Sequence, residues 1–241
     1  MIRLLASVRD VDEALAAAAG GADLIDLKEP RAGALGGLLP ARIREIVRVL
    51  RERHPGLPIS ATIGDYAADD LECIGAQVAA VGSCGVDYVK VGIAGVNAAA
   101  QRTLLMWLAE SRWAVVPVFI ADYGLDFSVV EGACRLPFPA LMADTADKLA
   151  GSLFDCLADP ELIRFTALVQ AAGKRVGLSG ALRSLDLGHL AELAPDFAGF
   201  RSALCDGART GQLDPQKVRF LRQAMRAIPS AFCRDGQALA I

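Results

Sequence analysis

Lys28, Lys90 and Lys148 are three of only five lysines in 241 residues, and each closes or follows a short apolar run. Lys28 ends the run from Leu24, in which the two-residue period of a strand puts Asp26 and Lys28 on one face, as a pair. Lys90 stands between Val89 and Val91, β-branched residues that a sheet would bury against helices, so its own side chain is expected on the opposite, inner face. Asp144 and Lys148 are four apart, a spacing that one turn of helix would align. Amines beside carboxylates suit covalent catalysis. A lysine of pKa about 10.4 is neutral in roughly one molecule in two thousand at pH 7, and nearby positive charge with partial desolvation raises that fraction. One lysine would attack a carbonyl to form an imine, a second would stay charged or move protons, and the aspartates would orient them. The residues leave open which lysine is the nucleophile. The plain alternative is a set of stabilising ion pairs at strand ends, which contribute little when exposed.

The elements that must position these groups follow from periodicity. Short β-branched or apolar runs read as strands over residues 3–7, 24–27, 59–62, 88–91, 115–119, 140–143, 175–178 and 197–200. Stretches of helical period follow at about 10–19, 40–54, 69–84, 96–111, 127–135, 160–172, 185–194 and 215–227. Pro40 suits a first helical turn, His54-Pro55-Gly56 stops a helix, and Asp214 followed by Pro215 reads as an N-cap with proline at the first position. Eight such repeats without a linker predict an α/β fold, a single (β/α)8 TIM barrel over residues 1–227, with a doubly wound open sheet as the main alternative. Residues 228–241 form a C-terminal tail, either loosely ordered or covering a partner subunit.

In such a barrel the active site forms where strands end, and the three lysines fall at or beyond the ends of strands two, four and six. After strand seven, Ser179, Gly180 and Ala181 can present backbone N–H groups; after strand eight, Arg201 and Ser202 can add a guanidinium and more amides. That is the usual barrel place for a phosphate. Alternatively, Gly180 and Gly207 serve only tight turns and the loop arginines face solvent. Gly33, Gly36 and Gly37 read as a mobile active-site loop or a long turn, and Asp122, just after strand five, is a further candidate for the site whose role nothing nearby fixes.

Composition excludes several classes. A net charge of −3 offers no basic surface for nucleic acid, and 54% hydrophobic residues suffice for a large core. The longest apolar stretches fall short of the ~20 residues that cross a bilayer, so no membrane partner is expected. The apolar start before Arg9 is too short for a signal-peptide core, which places the chain in the cytoplasm. Six cysteines without a C-x-x-C pair read as reduced small residues, and two histidines, His54 and His189, lack ligand or triad spacing, so no metal is expected. Trp107 and Trp113 either pack on the barrel or join copies into a homo-oligomer.

Five stretches carry a resemblance to a known family: Gly20 to Pro30 (GGADLIDLKEP), Asp87 to Gly92 (DYVKVG), Met142 to Lys148 (MADTADK), Gly177 to Leu182 (GLSGAL) and Gly199 to Cys205 (GFRSALC). In their order and content they resemble (5-formylfuran-3-yl)methyl phosphate synthase. The resemblance implies a barrel lyase that condenses two molecules of glyceraldehyde 3-phosphate, with loss of phosphate and water, into a furan phosphate for methanofuran-type cofactors. It implies Lys28 as the Schiff-base lysine, Lys90 as an acid/base group, and Asp26, Asp144 and Lys148 as assistants. It calls for a triose phosphate substrate and for neither metal nor organic cofactor. The rivals are another lysine-dependent barrel aldolase, resembling deoxyribose-phosphate aldolase, and a barrel that binds a phosphorylated ligand without turning it over.

Overall fold

In the computed structural model, which describes residues 1–148 and 150–228, eight parallel strands close into a barrel. They are β1 (Arg3–Val8), β2 (Leu24–Leu27), β3 (Ile59–Thr62), β4 (Tyr88–Ile93), β5 (Val115–Ile120), β6 (Ala140–Asp144), β7 (Arg175–Leu178) and β8 (Phe197–Phe200). Each pairs with its neighbours in sequence, and β8 returns to β1 with Leu5 opposite Gly199, so no open edge remains. The expected barrel is thus present, and the open sheet is excluded.

Helices α1 (Val11–Ala19), α2 (Pro40–Arg53), α3 (Leu71–Gly82), α4 (Ala98–Ala109), α5 (Phe127–Cys134), α6 (Leu153–Cys156), α7 (Asp159–Ala171), α8 (Leu187–Leu193) and α9 (Pro215–Ala227) surround it. Several begin on a side-chain cap that satisfies first-turn N–H groups: Asp10 accepts from Glu13 N at 2.9 Å and Asp214 from Gln216 N at 2.7 Å. α2 shows why the repeats are legible. Its Ile43, Ile46, Val47 and Leu50 share one face at helical spacing and are buried, each contributing about 2 kcal/mol, while its arginines and glutamates face outward. Short α6, and single 3-10 turns at Ala121–Tyr123, Ser184–Asp186 and Ser202–Leu204, have no counterpart in the periodicity, because three or four residues hold no repeat.

The pleat splits the apolar residues into two layers. One lies between strands and helices; the other, with Leu5, Leu24, Val116, Val118, Met142 and Phe197, lies inside the barrel. The Trp107 and Trp113 rings sit so close over Gly75 and Gly82 of α3 that a Cβ there would come within 2.7 and 2.4 Å of them. Both tryptophans therefore pack on the outer helical layer. No helix among the described residues is long and apolar enough to cross a membrane. The expected tail lies outside the described residues beyond position 228.

Candidate active site

Inside the barrel, polarity changes along β1, β2, β4 and β6 toward their C-terminal ends, whereas the inner face of β5 stays apolar through Val116, Val118 and Ile120. Leu24 gives way to Asp26 and Lys28, Tyr88 to Lys90, Met142 to Asp144 and Leu5 to Ser7, always two residues on and therefore on the same inner face. The result is a polar mouth bordered by Ser7, Asp26, Lys28, Lys90, Asp144 and Lys148. Over β4 the mouth is filled by Leu35 from the loop after β2: a Cβ on Gly92 would meet its side chain at 2.9 Å. The glycine loop at 33–37 is thus a packed turn, held where Leu35 N donates to Asp65 at 3.2 Å.

Asp26 pairs with Lys90, not with Lys28. Lys90 Nζ lies 3.0 Å from Asp26 Oδ2, both are buried, and the hydroxyls of Ser60 and Ser7 donate to the same carboxylate at 2.7 and 3.2 Å. Burial works against the ionised form of Asp26, but the charges of Lys90 and Lys28 and the Ser60 hydroxyl hold its pKa below the usual carboxylate value. Lys148 reaches back from an irregular loop to Asp144 Oδ1 and to the Thr145 carbonyl, without the helical turn its spacing suggested. Asp122 holds that loop by accepting the N–H groups of Ala146 and of Asp147, the latter at 2.8 Å. Asp144 is likewise buried yet kept well below the ordinary carboxylate range by Lys148 and Lys28.

Lys28 is left over. It is 6% exposed and forms no ion pair within 4 Å among the described residues. Burial, with the positive charges of Lys148 and Lys90, outweighs the pull of Asp144 and Asp26 and pushes its pKa down to about 8. A buried amine close to neutrality between two lysine–aspartate pairs has what imine formation requires: a nucleophile, proton donors and proton acceptors within one mouth.

The loops proposed for phosphate behave differently from one another. Gly180 and Ala181 have positive φ angles of 119° and 44°, and among the described residues their amide N–H groups donate to no acceptor. The backbone approaches Thr145 so closely that a Cβ on Gly180 would lie 2.9 Å from its hydroxyl, which is why glycine stands there. The buried Ser179 hydroxyl and Asp144 Oδ2 form no well-shaped hydrogen bond, although the hydroxyl is near enough to favour the ionised carboxylate. Ser202 borders the mouth at the start of its 3-10 turn. Arg201, by contrast, is buried in an ion pair with Glu13 of α1. Sequence reasoning missed Glu13, Ser7, Ser60 and Arg209; of these only Arg209, an arginine in the glycine-containing loop after β8, carried a local signal. A separate cavity of about 260 Å³ opens at the opposite end of the barrel, lined by Leu24, Tyr88, Val116 and Phe197 with Arg3 and Arg175 from the strand starts. It reaches the chemistry at Lys90 and Ser60, both of which hold Asp26.

A family profile described as 4-HFC-P synthase matches residues 4–222. Among curated relatives, the (5-formylfuran-3-yl)methyl phosphate synthase of Methanopyrus kandleri is 36% identical over 92% of this chain and 98% of its own length. That of Archaeoglobus fulgidus is 34% identical over 93% and 99%. A Methylorubrum extorquens protein provisionally given the same name is 38% identical over 95% and 94%. Among solved structures, phosphoribosylanthranilate isomerase of Thermotoga maritima shares the fold, with a TM-score of 0.64 at 16% identity over 94% of this chain and 99% of that one.

Proposed function

This chain belongs to the 4-HFC-P synthase family, and on that premise we propose that it joins two molecules of glyceraldehyde 3-phosphate through an imine on Lys28. The product is (5-formylfuran-3-yl)methyl phosphate. The atoms balance without a redox step: two three-carbon phosphates, less one phosphate and two waters, give the six-carbon furan phosphate. Lys28 attacks the aldehyde of the first triose phosphate and water leaves. The iminium acidifies the adjacent C–H, and removal of that proton gives an enamine whose carbon attacks the second aldehyde. Elimination of one phosphate, ring closure and dehydration follow, and hydrolysis of the C–N bond takes up one water, releases the product and frees Lys28. The Lys90–Asp26 and Lys148–Asp144 pairs flank the amine as proton carriers, one on each side.

The observation that carries this reading is the state of Lys28. With its pKa pushed down to about 8, about one molecule in ten holds the neutral amine at pH 7. The two flanking lysines are each held by a carboxylate, Lys90 by Asp26 and Lys148 by Asp144. Incubation with glyceraldehyde 3-phosphate and borohydride, followed by peptide mapping, is expected to place a triose-sized adduct on Lys28 and a near-ultraviolet furan chromophore in the unreduced reaction. Folded protein that binds the substrate but yields no adduct on Lys28, Lys90 or Lys148 would overturn the imine mechanism in favour of a non-catalytic binder.

A further inference from the structure

Five cations border the mouth: Lys28, Lys90, Lys148, Arg201 and Arg209. Three are already matched, Lys90 by Asp26, Lys148 by Asp144 and Arg201 by Glu13. Arg201 is matched completely. Its Nε donates to Arg209 O at 2.8 Å, Nη1 to Ser7 O at 3.1 Å and to Glu13, and Nη2 to Glu13 at 3.0 Å and Gly211 O at 2.8 Å. A guanidinium has five N–H donors, so Arg201 keeps none for a ligand. Arg209 is the reverse case. It is half-buried, forms no ion pair within 4 Å among the described residues, and its one hydrogen bond is a long 3.4 Å contact from Nη2 to Gly33 O. Asp144 and Asp65 act on it only at longer range.

The backbone beneath Arg209 is held with unusual thoroughness. Three successive carbonyls are bound by arginines: Arg209 O and Gly211 O by Arg201, and Thr210 O by Arg9 Nη1 at 2.6 Å. Both arginines converge on Glu13, with Arg9 Nε 3.3 Å from its carboxylate, and Glu13 is buried. The segment closes on itself through Asp206 N to Gln212 O at 3.0 Å and the bridge between Cys205 and Leu213. A surface turn has no need of a buried glutamate and two arginines. A residue whose side chain must meet a ligand in one geometry does.

We propose that Arg209 is the cationic contact for the phosphate of the bound triose phosphate, and that Glu13, Arg9 and Arg201 are positioning residues that hold its loop. This rests on the phosphorylated-substrate reading above and reassigns the charge contact from Arg201. An arginine fork can bind phosphate through two parallel hydrogen bonds, and it cannot itself compete with Lys28 as a nucleophile. The amides of Gly180 and Ala181 border the same mouth and supply further donors. Lys28 and Arg209 are the two cations lining the mouth without an ion-pair partner among the described residues, and a phosphate brings negative charge to them.

The test titrates inorganic phosphate into the full-length protein, followed by calorimetry, for wild type, Arg209→Ala, Arg209→Lys and Glu13→Gln. Arg209→Ala is expected to weaken phosphate binding about tenfold or more, with Arg209→Lys recovering part of the loss and Glu13→Gln giving a smaller loss. Borohydride trapping separates positioning from general damage. In Arg209→Ala and Glu13→Gln alike, trapping of glyceraldehyde 3-phosphate on Lys28 falls by the factor by which that variant loses phosphate binding, while trapping of unphosphorylated glyceraldehyde is unchanged. Phosphate bound equally well by Arg209→Ala, or not bound by the wild type, overturns the proposal. The two readings fail separately: phosphate binding through Arg209 without furan formation sinks the reaction, and furan formation indifferent to Arg209→Ala sinks the phosphate contact.

Discussion

Aspartates stand at both ends of the barrel and have opposite surroundings. At the N-terminal end Asp23, Asp87 and Asp196 each precede a strand by one residue, and each accepts the backbone N–H of a neighbouring strand's first residues, from Leu4, Ile59 and Val176 at 2.8, 2.7 and 2.8 Å. They are partly exposed and close the ends of the sheet, satisfying donors that the ladder leaves over. At the C-terminal end Asp26 and Asp144 are fully buried, and their oxygens face lysines rather than strand edges. The same residue type is a stitch at one end and half of a buried ion pair at the other. The difference teaches where an unmatched charge arises: two buried carboxylates against three ammonium groups leave one amine without an ion-pair partner, while at the other end each carboxylate accepts a strand N–H, and Asp23 and Asp87 also pair with Arg222 and Arg51 at 2.7 Å each.

The sharpest way to break that contrast is Lys28→Met. Loss of kcat/KM on the order of 10⁴-fold or more is expected on the proposed imine mechanism, which the variant cannot enter. The same substitution should stabilise the fold. Lys28 has a folded pKa of about 8 and an unfolded value near 10.5, so below pH 8 the unfolded state holds that proton more readily; stability is lowered there by about 3 kcal/mol and recovers as pH rises toward 10.5. Thermal melts of wild type and Lys28→Met at pH 7 and pH 10 check this: the variant's advantage should be present at pH 7 and shrink at pH 10. A variant less stable at pH 7 would show that Lys28 is matched after all.

A smaller effect reads the same amine in the intact enzyme. On the proposed imine mechanism, in which neutral Lys28 attacks, kcat/KM should rise about tenfold between pH 7 and pH 9, with its bend near pH 8. A profile flat across that interval would place the controlling group elsewhere. The smallest effect belongs to the other end. Asp196→Ala removes the acceptor of the Val176 N–H and should cost about 1 kcal/mol in urea denaturation, leaving kcat/KM within about twofold. A large loss of activity there would remove the distinction between the two ends.

The barrel itself was legible because each strand repeats one pattern, apolar or β-branched on the outer face and punctuated by helical stretches with caps. The three lysines were legible for a related reason, since scarce charged residues at strand ends stand out against an apolar background. Their pairing was not. Along β2 Asp26 and Lys28 share a face but are about 7 Å apart, whereas the stagger of the closed barrel brings the long Lys90 side chain across β3 to Asp26. The commitment of Arg201 was equally hidden, for its partner Glu13 lies 188 residues earlier, on a helix whose sequence shows only an ordinary charged position.

By itself, then, the sequence determined the eightfold repeat, the end of the barrel at which three lysines and two aspartates gather, and so the set of amines and carboxylates available there. Periodicity and strand alternation are local properties, and they fix which face each residue presents. Only the tertiary structure decided which cations are neutralised and which remain, leaving Lys28 as the amine nearest neutrality and Arg209 as the unmatched guanidinium. Ion pairing depends on approaches of about 4 Å between groups distant in the chain, and those approaches are set by barrel closure and stagger.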